Sequence, residues 1–453
     1  MSKTIKIKKG LDICLKGSPL QKMADATSIE EYAVKPTDFV GMTPKLMVKE
    51  GDAVKAGSPL MHDKQNEGIV LSSPVSGTVK AVVRGEKRAI MAVVIASDGK
   101  HESEQFTVAE PAKLGKEEVI NELRAAGALS LLRQRPFGTV ANPEVMPKAI
   151  FVSGFDSAPL GVDYDYMLQG REDDLQFGMT ALSRIAKVYL GLKPSQKEGK
   201  LAQLRNVEVN YFEGKHPAGL VGTQIAKLDP INKGEVVWTI NIQDVAILGH
   251  IFAAGEYRPL KMVALAGPVV ENPQYFQVYA GARMSEVTKN VKAENVRFVS
   301  GNVLSGSKIE KVGFIGYYDC EVSVLEEGNK YDFMGWLMPG FKKYSASRTF
   351  LSGFFKGCKC GKKFLEGREV NTGLHGSVRP LVVTGQYEEV MPLDIYPMQL
   401  IKACIVGDID LMENLGIYEV EPEDFALCEF VDTSKTEIQA IIREGLEKIR
   451  KDS

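Results

Sequence analysis

The sequence predicts a multidomain α/β protein, and three observations carry that prediction. The first hundred residues break into short β-rich segments divided by glycine turns, strands alternate with helices from about Glu110 to Gly255, and apolar residues recur at helical spacing near the C-terminus. The divisions these patterns suggest are a β-rich unit over 1–105, an α/β unit over 106–257, a small mixed unit over 258–340 and a mainly helical unit over 341–453. A chain of 453 residues with 44% hydrophobic content can bury more than one core. Its 56 lysines and arginines against 58 aspartates and glutamates create no field of one sign, which argues against nucleic acid as a partner. No apolar run reaches the roughly 18–20 residues of a membrane span, and "MSKTIKIKKG" lacks the apolar core of a signal peptide. Six scattered cysteines fit a reducing compartment rather than a disulfide framework.

In the first unit, "KIKKGLDICLKG", "KLMVKEGDAV", "GIVLSSPVSGTVKAVV" and "AIMAVVIASDG" are partly alternating segments with Gly or Pro between them. The spacing Gly51-Asp52-x-Val54-x-x-Gly57, then Lys64, then Ser73-Pro74-x-x-Gly77-x-Val79 resembles a lipoyl or biotinyl carrier, so a barrel-sandwich hybrid is expected. The carrier's covalent cofactor is not expected on Lys64. A biotinyl Met-Lys-Met is absent, no Glu-Thr precedes Asp63-Lys64, and the stretch from Leu60 to Pro74 is shorter than a lipoyl carrier's.

The second unit opens with a helix in "KEEVINELRAAG", where Val119, Ile120, Leu123 and Ala126 share a face and Gly127 supplies the C-terminal stop. "KAIFVSG", "VEVNYF" and "EVVWTINI" read as strands, and "MTALSRIAKVYLG", ended by Gly191, and "QDVAILGHIFAAG" read as helices. This is the alternation of a Rossmann-like parallel sheet, whose ligand crevice lies beyond the carboxyl ends of its strands.

The order "FVSGFDSAPLGVDYDYML", "YFEGKHPAGLVG", "WTINIQDVAILGHIFAAGEYRPLKMVALAGPV" is similar to the C subunit of the Rnf electron-transport complex and to the flavin subunit of respiratory complex I. Those relatives imply a glycine-rich FMN loop, because only glycine lets backbone N–H groups approach a phosphate closely. At the matching place this chain has "ALSLLRQRPFG", so the flavin cradle is expected to be lost. The stretch from Leu260 to Asn290 resembles an SLBB β-grasp module. The cysteine-rich iron–sulfur motifs that follow it in the relatives are missing here: Cys358-x-Cys360 is the one close pair and a weak metal signal.

What stands instead, "EEGNKYDFMGWLMPG" and "GQYEEVMPLDIYPMQLIKACIVGDIDLMENLGIYEVEPEDFALCEFVDTSKTEIQAIIREGLEKI", closely resembles the NqrA family of the Na+-translocating NADH:quinone oxidoreductases, as do "KIKKGLDI" and "RGEKR". The resemblance implies a cytoplasmic subunit, peripheral on the inner face of the bacterial membrane, held there by the other subunits of the complex. NADH, flavins, iron centres and quinone would then be the business of the complex, with no redox cofactor or metal in this chain. Two roles follow from different classes: participation in quinone reduction coupled to Na+ export, or structural capping of the complex without a ligand.

Catalytic motifs are absent: the five histidines form no His-Glu-x-x-His, and no Walker loop or Gly-x-Ser-x-Gly elbow occurs. His216, beside Gly219-x-x-Gly222, reads first as a loop histidine. In the last unit Ser434-Lys435-Thr436-Glu437 fits a capping box, with Ile438, Ile441, Ile442, Leu446 and Ile449 on one helical face. If the chain binds a quinone, the altered loop is the expected place. Leu131, Leu132 and Phe137 make it apolar, Arg133 and Arg135 offer donors to a carbonyl, and Phe155 could stack on the ring.

Overall fold

The runs Ala149–Ser153, Lys187–Leu192 and Val237–Asn241 are almost continuously apolar, the composition of strands covered on both faces. In a computed structural model that describes residues 3–24, 29–329, 332–335, 337–341, 343, 345, 350–353, 370–374 and 377–452, they form the centre of a seven-stranded sheet. Its order is Thr4–Ile7, Glu208–Gly214, Lys187–Leu192, Ala149–Ser153, Val237–Asn241, Arg133–Arg135, Thr139–Val140. The first five strands are parallel and the last two antiparallel.

Helices Lys116–Ala125, Glu172–Ile185 and Ile242–Ala254 cover the face carrying Ile150, Val152, Leu190 and Ile240, and helix Val221–Leu228 covers Phe151 and Tyr189 on the other. Gly127 takes φ 67° as the helix stop its position suggested. Gly191 does not: the helix ends at Ile185, and "KVYLGL", apolar, aromatic and β-branched, is a central strand.

The β-rich unit pairs a four-stranded sheet, Glu31–Val34, Ile90–Ser97, Gly77–Arg84, Ala53–Val54, with a three-stranded one, Pro44–Leu46, Pro59–Asp63, Val70–Ser72. Two N-terminal segments pair outside this unit. Thr4–Ile7 pairs with Glu208–Gly214 in the α/β sheet, and Met23–Ala24 pairs with strand Gln274–Tyr279 of the next unit. An exposed sheet edge takes up any extended segment that can pair with it, and no local pattern records which edge is nearest.

The third unit is a six-stranded sheet in which Leu260–Ala266 lies between Gln274–Tyr279, antiparallel, and Glu321–Glu326, parallel. Its Ala280-Gly281 turn seats it on the first unit: a Cβ on Gly281 would stand 2.1 Å from the carbonyl oxygen of Ala33.

The C-terminal helices Pro397–Val406, Ala426–Val431 and Ile438–Asp452 enclose a separate core of Leu400, Ile401, Met412, Phe425, Ile442 and Leu446. Ile438, Ile442, Leu446 and Ile449 are buried there and Ile441 is partly buried, so the apolar stripe packs inward. The capping box is not formed. Ser434 Oγ donates to the carbonyl of Pro380 at 3.1 Å, and the Asp432 carboxylate accepts from the N–H groups of Ser434 and Thr436. Cys358 and Cys360 lie outside the described residues.

Candidate functional site

Strands Ala149–Ser153 and Val237–Asn241 are neighbours in the sheet although the chain runs from the first of them outward to Lys187–Leu192 and Glu208–Gly214 before returning. The connections therefore diverge between Ser153 and Asn241, which are paired in register. Beyond these two strand ends is a cavity of about 240 Å³. This is the topological switch point, where ligands of open α/β sheets bind.

Three units build its walls. The α/β unit supplies Leu131, Arg133, Ser153, Phe155, Asp156, Tyr164, Gly219 and Asn241, the β-grasp unit Asn302, Ser305, Tyr318, Asp319, Cys320 and Glu321, and the helical unit Glu423.

The loop that would cradle a phosphate is closed on itself. Residues Ala128–Leu131 form a buried 3-10 turn, in which the N–H of Ser130 donates to Gly127 and that of Leu132 to Leu129. The Ser130 and Leu132 N–H groups are thus spent within the turn and do not face the cavity as a phosphate cradle.

Of the expected site residues, the structure brings Leu131, Arg133 and Phe155 to the cavity and separates the others from it. Leu132 is buried in the main core. Phe137 packs edge-on against Tyr418 at 6.4 Å and gives its carbonyl to Arg443. Arg135 is 1% exposed and spends its guanidinium on carboxylates of the helical unit, at 2.7 Å from Glu423 and 3.0 Å from Asp424, with Glu421 at 3.6 Å. Arg133 is half-buried, paired with Glu421 at 2.9 Å, and its guanidinium carbon lies 5.6 Å from the Tyr318 ring centre.

Gly222 is small for this contact: a Cβ there would come 2.1 Å from Asp424 Oδ1. Burial raises the Asp424 pKa to about 6 even beside Arg135. For Glu421 burial also pushes upward, but Arg135, Arg133 and Arg443 outweigh it and its pKa is lowered.

Lys64 is exposed, but the loop after it is not a free hairpin tip. Its backbone N–H donates to Thr43, and Asn66, two residues on, is tied to Asn142 of the α/β unit at 3.0 Å. His216 is buried behind the cavity, 3.0 Å from Ser157 Oγ, and burial pushes its pKa down to about 4, so it is neutral. The Gly219 N–H holds that same hydroxyl at 2.8 Å, a wholly structural arrangement.

The sequence reading missed the polar wall. Ser323 Oγ donates to Glu321 at 2.5 Å, Asp156 accepts from the N–H of Ala158 at 2.7 Å, and Asn241 donates to Tyr164 at 3.1 Å. Burial raises the pKa of Asp156 and of Glu321, and pushes the Cys320 thiol up to about 12. Among the described residues no group of three or more His, Cys, Asp or Glu could hold a metal ion. The dense polar run Tyr318-Asp319-Cys320-Glu321 before an apolar strand was the one available signal.

Three family descriptions match the chain in order: the NqrA N-terminal barrel-sandwich hybrid domain over 5–98, the NqrA second alpha/beta domain over 114–257 and the NQRA C-terminal domain over 262–311. The chain is 42% identical over 99% of its length to the whole of the NqrA subunit of the Na(+)-translocating NADH-quinone reductase of Pasteurella multocida. The chain belongs to the NqrA family. The NqrA subunits of Actinobacillus pleuropneumoniae and Haemophilus influenzae are 38% and 39% identical, again over 99% of this chain and the whole of each relative. Membership agrees with the barrel-sandwich, α/β and β-grasp order of the fold. No helix among the described residues is long and apolar enough to cross a membrane.

Proposed function

We propose that the chain is a peripheral subunit of a Na+-pumping NADH:quinone reductase, on the cytoplasmic face of the membrane, and that it takes part in quinone reduction by holding a quinone ring at the switch-point cavity. The single observation that carries this reading is the conversion of that cavity. Its place in the sheet is that of a ligand site, the Ser130 and Leu132 N–H groups of the altered loop are spent within their own turn, and its walls combine Leu131 and Phe155 with the buried acids Asp156 and Glu321, in which burial favours the uncharged form. At about 240 Å³ it falls below the roughly 300–1,000 Å³ of sites that enclose a whole drug-sized ligand. The occupant this reading assigns to it is one substituted ring, with its tail outside.

Titration of the isolated full-length chain with ubiquinone-1 tests this. Saturable binding is expected, weakened about threefold to tenfold by Phe155→Ala, the loss of one aromatic contact. FMN should not compete. Absence of saturable binding, or FMN binding in preference to the quinone, contradicts the reading. The same preparation reports attachment: a chain expressed alone should be recovered in the soluble fraction, and pelleting with partner-free membranes through a salt wash speaks against attachment through partners.

A second reading, capping of the complex without a ligand, is favoured by apolar side chains left open at the C-terminal helices. Ile405, Val406 and Leu411 are 55%, 80% and 44% exposed within seven residues of one another. Such a cluster suits a protein surface.

A further inference from the structure

Glu321 is 3% exposed, lines the cavity at the start of strand Glu321–Glu326, and has no ion-pair partner among the described residues. Ser323 Oγ occupies one of its carboxyl oxygens. A buried carboxyl without a cation is retained at high cost in its charged form, so the chemistry of the site favours the acid, which carries an O–H. Asp319 is taken by Ser300 Oγ at 2.6 Å, and Glu423 is paired with Arg135. Lys193 lies near Asp156, over the Phe155 ring at 5.6 Å, and is not paired with Glu321.

We propose that the protonated Glu321 carboxyl is the hydrogen-bond donor that orients an uncharged carbonyl ligand in this cavity. This inference rests on the reading of the cavity as a quinone-ring site. A neutral carboxylic acid donating to a carbonyl oxygen is a strong, directional contact when the acid itself is buried, as Glu321 is.

The sign of the pH dependence follows. Burial raises the Glu321 pKa well above the ordinary carboxylate range, and Asp156 and Asp319 raise it further, while Ser323 lowers it. The donor is therefore present at low pH and is lost as pH rises through the titration of Glu321. The other titratable or charged groups around it are the Tyr164, Tyr275 and Tyr318 phenols and the Cys320 thiol, all pushed upward by burial, together with Arg133 and Glu423 at the cavity and Lys261 and Asp244 beside Cys320.

The test titrates the full-length chain with ubiquinone-1 between pH 5 and 10, as wild type, E321Q and E321L, with thermal melting of each. E321Q keeps an acceptor for Ser323 and an amide donor for the cavity. E321L removes both, and leaves Ser323 Oγ the carbonyl of Gly301 at 3.2 Å. Expected are binding of E321Q within about threefold of wild type, binding of E321L about tenfold weaker, the worth of one hydrogen bond, and an affinity that falls with rising pH in wild type and stays level in E321Q. Equal binding by E321L and wild type overturns the role of Glu321 while leaving the quinone site standing. Should E321L melt before it can be titrated, identical pH profiles for wild type and E321Q overturn it instead. Absence of saturable binding in wild type removes the quinone reading and this inference together.

Discussion

Replacing Arg135 with alanine is expected to destabilise the protein by about 3–5 kcal/mol, the cost of leaving buried charge without its partner. Asp424 has 0% and Glu421 2% side-chain exposure, and both face Arg135. Removal of the guanidinium strands Asp424, leaves Glu421 its pairing with Arg133 at 2.9 Å, and takes away the bonds by which Arg135 ties strand Arg133–Arg135 to the helical unit. Lysine should recover only part of the loss, since one ammonium cannot reach three carboxylates that a planar fork spans. Urea unfolding of wild type, Arg135→Ala and Arg135→Lys measures this, and an alanine variant within 1 kcal/mol, roughly the worth of a surface pair, would refute the latch. Low pH should remove the share of this contact that Glu421 supplies, while Asp424, whose pKa is raised, works in the opposite sense. Glu421 has a depressed pKa, so its stabilisation is fully present above the ordinary glutamate range and is lost as pH falls through its folded value.

Gly249→Val is the second large effect. Helices Glu172–Ile185 and Ile242–Ala254 cross with backbone against backbone: a Cβ on Gly249 would come 1.8 Å from the carbonyl oxygen of Asp174, and one on Gly178 2.1 Å from that of Val245. No rotamer relieves a clash between a Cβ and main chain, so the helices must separate above the sheet that carries the cavity. A loss of about 3 kcal/mol, the upper end of ordinary overpacking, is expected. A valine variant with an unchanged unfolding midpoint would show that this crossing is not tightly packed.

Much of the fold was legible because its signals are local. The stripe Val119, Ile120, Leu123 with Gly127 behind it predicts a helix and its stop, and the apolar runs before Ser153 and Asn241 predict buried parallel strands with a crevice beyond their ends. That Leu131, Arg133 and Phe155 lie at the cavity was legible for the same reason: they sit within two residues of strand ends or of the altered loop. Leu132 and Arg135 were not separable from them by sequence. Consecutive residues of the loop point to opposite sides, and the carboxylates that claim Arg135 lie 288 and 289 residues away. The polar wall of Tyr318 to Glu321 was missed because it reaches the cavity by docking of one unit on another, and such docking leaves no period in the chain. The close approach of Gly222 to Asp424 likewise has no signal in the local sequence.

The measurement that bears most directly on the central claim uses the assembled reductase with Ser305→Trp in this chain. Ser305 is exposed at the cavity wall and bonds only to Asn302 among the described hydrogen bonds, so the indole can close the site without disturbing a core. NADH-dependent quinone reduction is expected to fall about tenfold or more, with NADH oxidation by ferricyanide, which bypasses the quinone, retained. Undiminished quinone reduction by a complex that has incorporated the Ser305→Trp variant would contradict the account and leave the chain as a cap.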